Sequence, residues 1–196
     1  MELAAEATLS PRMRQLLDAA LVVVSDAGLR GLTHRAVDRE AGLPEGSCSA
    51  YLRTRHALTT ALGEYVAEHL AADVHQLTDV LADCPGDHAR ATVEIAALFE
   101  RWLHGRELVT RFELSLEAVR DPGLAERFQS WRDDLVGVVA TALTQDGGTA
   151  DVVRAEALVV SLDGVLLGAL LRPESERGDY LSRCVALLID GLSPQP

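Results

Sequence analysis

Two groupings are the best seeds for chemistry by acids, bases, nucleophiles or metal ligands. Asp133 and Asp134 form a carboxylate pair, and Asp83, Cys84 and His88 surround a Pro85-Gly86 turn. Neither spacing suits a metal. A magnesium site needs further carboxylates, and a Cys-Pro-Gly-Asp-His run is spaced like no tetrahedral zinc site. No metal, cofactor or catalytic residue is therefore expected, and a helical enzyme is kept as an alternative reading.

The run from Gly28 to Leu58 offers a different chemistry. Thr33 stands where an N-cap belongs, and HRAVDREA, His34 to Ala41, puts Ala36, Val37 and Ala41 on one face. Gly42 supplies the stop. Pro44 and Glu45 open a second short helix after a turn of about three residues, the spacing of a helix-turn-helix, whose second helix enters the DNA major groove. Cys48 and Leu52 make an inward i, i+4 pair, which leaves Glu45, Ser47, Ser49 and Ala50 outward. Serine bonds to either base edge, alanine touches a thymine methyl, and Glu45 either accepts from a cytosine amine or complements the helix dipole. Tyr51 offers a hydroxyl to phosphate or packs as a half-buried ring. Arg35 precedes one helix, and Thr54 with Arg55 another, where they are placed as phosphate clamps. Thr33 and His34 share that position, Thr33 also as a cap and His34 also as a plain surface histidine.

With the amphipathic helix Arg12 to Ala27 in front of it, this string resembles the DNA-binding domain of tetracycline-repressor (TetR) family regulators. The shared features are Gly28 ending a helix, Thr33 capping the next, Ala41-Gly42-Leu43 at the turn, Gly46-Ser47 in the recognition helix, and Leu52-x-Thr54-Arg55-x-x-Leu58 entering a long helix. The family's common aromatic at position 49 is Ser49 here, and its usual Phe and Lys are Leu52 and Arg55. The resemblance implies an all-α chain: a tail over 1–10, a three-helix helix-turn-helix domain over 11–54, and a larger helical effector-binding and dimerisation domain over 55–196. It implies a ligand-responsive repressor, a cytoplasmic homodimer that binds a palindromic double-stranded DNA operator and answers to a small-molecule effector. An activator, or a regulator needing no ligand, stays open as an alternative.

Composition fits that reading. The net charge is −12, yet residues 1–60 carry seven arginines against seven acids; the rest carries eleven against twenty-three, 11 − 23 = −12. The acidity thus belongs to the second domain, and local arginines can still meet phosphates. Three well-separated cysteines imply reduced thiols. The N-terminus reads as neither a signal peptide nor a span, and no membrane partner is expected.

The remaining pattern is helical. Leucines and valines at three- and four-residue spacing predict a long helix from about Arg55 to Leu81. Further helices are predicted from Asp87 to Gly105, Arg106 to Arg120, Gly123 to Gln145, Ala150 to Leu171 and Arg177 to Leu192, with a turn at Asp146-Gly147-Gly148-Thr149. Phe99, Trp102, Phe112 and Trp131, with Arg111 and Leu116, are candidates for a ligand pocket, the alternative being plain core. Ala157, Ser161, Gly164 and Gly168 form a small-residue strip. With Leu181, Val185 and Leu188 they are candidates for a dimer interface, or else close the monomer's own core.

Overall fold

A computed structural model describes residues 9–84, 86–145 and 152–192. The expected tail up to Thr8, the Asp146–Thr149 turn and the Ala150 helix start lie outside the described residues. All described regular structure is helical, and no described helix is long and apolar enough to cross a membrane.

Ser10 caps α1 (Pro11–Gly31) by accepting from the Met13 amide, with proline at the first helical position, where its missing N–H costs nothing. Gly28 breaks α1 with φ 65°, a left-handed backbone that side chains resist. Thr33 caps α2 (His34–Glu40) through the Ala36 amide, and Gly46 (φ 95°) leads into α3 (Ser47–Tyr51). Thr54 caps the 28-residue α4 (Arg55–Ala82), Asp87 caps α5 (His88–His104), and α6 (Glu107–Ala118) and α7 (Pro122–Gln145) follow. The last two are α8 (Val152–Leu170) and α9 (Glu174–Leu192). α9 begins three residues before the expected Arg177, because Glu174 and Glu176 complement the positive end of its first turn.

Two principal cores meet along α4. The first gathers Leu16, Leu17, Val24, Leu32, Val37 and Cys48 from α1 to α3 with Leu58, Leu62 and Val66 from the first half of α4. The second joins α5, α8 and α9 through Leu98, Phe99, Leu166, Leu181 and Val185, with Leu77 of the second half of α4 against it. α4 thus packs into both cores along its length. α6 also bridges them: its Leu108 lies in the second core and its Leu114 in the first.

Candidate nucleic-acid interface and ligand cavity

The α2–α3 unit is held by a buried carboxylate. Asp38, 1% exposed, turns back across the turn; its Oδ2 accepts from the Gly46 amide (2.8 Å) and its Oδ1 from the Cys48 amide (2.6 Å). Those N–H groups open a five-residue helix too short to stand alone, so Asp38 fixes its direction. Burial first, and the Asp38 charge second, push the Cys48 thiol up to about 11. Cys48 and Leu52 lie inward as their spacing predicts. Asp38 escapes sequence reasoning because it looks like one more polar residue on a surface helix.

On the outer side, Ala50, Tyr51, Thr54, Glu45 and Gly46 are exposed, and Ser47 and Ser49 half-buried. Ser47 Oγ donates to Pro44 O and Ser49 Oγ to Gly46 O, which leaves oxygen lone pairs outward as acceptors. Arg35 and Glu45 lie 3.9 Å apart at 84% and 79% side-chain exposure, a pairing weak enough to yield to a phosphate. Thr33 and Thr54, both exposed, act as caps. His34 Nε2 lies 2.5 Å from Leu52 O and ties the start of α2 to the end of α3.

The expected role of Arg55 is corrected. Its guanidinium folds back onto the end of α1, donating to Leu29 O (2.6 Å), which also takes the Leu32 amide (3.2 Å), and to Leu32 O (2.5 Å), which lies past the helix end. Arg53, between Tyr51 and Thr54, is exposed as well. Leu29 is gripped a second time: its amide donates to Glu113 Oε2 of α6 (3.2 Å). Arg106, preceding α6, reaches Ser25 Oγ (2.6 Å) and Asp26 (2.8 Å), and Tyr65 of α4 donates to Asp18 (2.6 Å). Burial and that hydrogen bond raise the Tyr65 hydroxyl well above its ordinary range.

Between α4, α5, α7 and α8 lies a cavity of about 170 Å³. Of the sequence's pocket candidates, Phe99 and Trp102 line it, among leucines, valines and alanines. The other pocket candidates do not. Leu116 faces solvent at 65% exposure, because that side of α6 has no helix over it. Phe112 packs into the second core under the Arg111 guanidinium, and Trp131 meets the edge of Phe128 (ring centroids 4.9 Å) where Gly63 lets α4 approach α7. Arg111 reaches the cavity only indirectly, through Asp163, which it bonds at 2.6 Å while Arg132 stands 3.5 Å away.

The expected self-association residues also divide. Leu181 and Val185 are fully buried in the chain's own second core, and Leu188, partly buried, packs against it. Gly168 is small for an internal reason, since a Cβ there would meet the Tyr180 hydroxyl at 2.5 Å. Gly164 has nothing within 4 Å of a built Cβ; with exposed Ala157 and half-buried Ser161 it lies on an open face of α8 that also carries Val153, Val160 and Leu167.

A family model described as tetracyclin repressor-like, C-terminal domain, matches residues 72–191. The multidrug binding protein EbrR complexed with imidazole is 30% identical, with a TM-score of 0.70 over 96% of this chain and 97% of its own. A TetR family member from Streptomyces coelicolor A3 is 28% identical, with a TM-score of 0.72 over 95% of this chain and 100% of its own. The HTH-type transcriptional regulator BetI of Serratia proteamaculans is 31% identical over 83 residues, so this chain spans 42% of the length of that curated relative.

Proposed function

This chain belongs to the tetracycline-repressor family, and from that premise we propose that it is a transcriptional regulator, not an enzyme, binding a palindromic operator as a homodimer and released by a small molecule. The observation that carries the reading is the double grip on Leu29: Glu113 of α6 holds its amide and Arg55 of α4 its carbonyl. Movement of α4, which lines the cavity, around an occupant is thereby passed to the end of α1, on which α2 packs with α3 against it. The recognition helices of a bound dimer sit one duplex turn apart, about 34–36 Å, so a shift of a few ångström misplaces the second half-site.

The DNA surface consists of Thr33, His34 and Arg35 with Glu45, Gly46, Ser47, Ser49, Ala50, Tyr51 and Thr54, and adds Arg53 as the arginine nearest Tyr51. The dimer face is the exposed side of α8, where Val153, Ala157, Val160, Gly164 and Leu167 recur at three- and four-residue spacing and leave an apolar strip in water. The multidrug binding relative, crystallised with ethidium and with malachite green, supports a small-molecule effector. The test selects a binding duplex from random DNA and then titrates candidate ligands into the complex. Coupling requires ligand and DNA to weaken each other by the same factor, about 5–150-fold. Ligand binding that leaves the selected duplex bound unchanged would overturn the coupling.

A further inference from the structure

Resting on the reading of the cavity as the effector site, we propose that its ligand is an uncharged, elongated, mainly aliphatic molecule. Its alkyl part lies along α5 from Trp102 outward, and its polar end sits at the α4–α5 turn. The lining runs along α5 from His88 to Trp102, fourteen residues or about 21 Å at 1.5 Å each. The walls are branched aliphatic residues: Leu77 and Leu81 of α4, Leu135 and Val139 of α7, Leu158 and Leu162 of α8.

The polar side chains in the lining are already engaged. Trp102 donates its indole N–H to Asp73 (2.7 Å), Thr78 donates to His75 O (2.7 Å), and Asp163 is bonded by Arg111 (2.6 Å) with Arg132 3.5 Å away. At the other end, Asp87 caps α5 through the Arg90 amide, His88 lies 3.8 Å from Asp190, and Cys84 lies 3.7 Å from Val80 O. A charged group carried inward among these aliphatic walls would be desolvated, whereas a hydroxyl or amide at the turn stays beside Asp87 and His88 and near water. Flat aromatic cations are disfavoured as well. The ring side chains of the lining are Phe99, Trp102 and His88, and Phe99 and Trp102 stack on each other with centroids 5.6 Å apart.

The experiment follows the emission of Trp102 in the full chain while three probes of equal chain length are added: 1-decanol, decanoate and decyltrimethylammonium, with ethidium as the aromatic cation. The alcohol is expected to bind roughly tenfold or more tighter than any of the charged probes. Ala91→Phe and, on the opposite wall, Val139→Phe each fill the channel and should abolish alcohol binding while the helical signal stays at the parent level. Tighter binding of a charged probe that both substitutions block would overturn the ligand class and leave the effector site in place. Binding of every probe unaffected by both substitutions, or no binding at all, would overturn the site itself and this inference with it.

Discussion

Asp38 and Cys48 are joined across the α2–α3 turn by a 2.6 Å hydrogen bond from the Cys48 amide to the Asp38 carboxylate, buried from solvent at both ends. The second carboxylate oxygen takes the Gly46 amide at 2.8 Å, so one side chain sets the start of the recognition helix. Replacing Asp38 with alanine removes two charge-assisted bonds worth about 1.5–3 kcal/mol each and strands their donors. Thermal melting should fall by several degrees. Binding to a selected duplex should be lost well below that melting temperature, and Asp38→Asn should lie between.

The same contact predicts the reactivity of the thiols. Cys48, fully buried and raised to about 11, stays protonated at pH 8.5, while Cys84 and Cys184 are partly open. Mass spectrometry after brief alkylation of the native chain should find the label on Cys84 and Cys184 and not on Cys48. A thiol raised on folding stabilises fully below its unfolded value of 9.0, and that contribution is lost as pH climbs through about 11. Its share of stability should therefore fall between pH 9 and 11, and Cys48→Ala should flatten the decline.

Arg35 and Arg55, similar in the sequence, should behave as opposites. Arg35 is exposed and only weakly paired with Glu45, so Arg35→Ala should reduce the slope of log K against log salt by about 0.9 with little change in melting. Arg55→Ala should lower the melting temperature, because Leu29 and Leu32 lose their capping donor, and leave the salt slope unchanged.

That pair also marks how far the sequence is legible. Caps, turns and helix order are local, so Thr33, Gly42, Thr54, Asp87 and the proline at the start of α7 announce themselves. The inward pair Cys48 and Leu52 follows from helical spacing alone. Arg55, Asp38 and Glu113 depend on partners 23, 10 and 84 residues away, and no spacing reveals such reach. Pocket residues fail for a related reason. Aromatic clustering along the chain collects Phe112 and Trp131, which pack elsewhere, whereas the aliphatic walls of the cavity look like ordinary core. The small-residue strip misleads at Gly168, which makes room for Tyr180 of its own chain.

Self-association should be broken on α8, not α9. Val160→Glu with Leu167→Glu places charges on the exposed apolar strip and should give monomers by light scattering with little change in helicity. Leu181→Glu should instead unfold the second core, since that side chain is fully buried.

The most direct measurement compares the affinity of the full chain for the DNA flanking its own gene with that for a random duplex of equal length, at about 150 mM salt. A regulator of this kind should prefer a pseudo-palindromic segment of the flanking DNA by about 10³-fold or more, with two protomers bound per duplex. Equal affinity for the two duplexes would contradict the account.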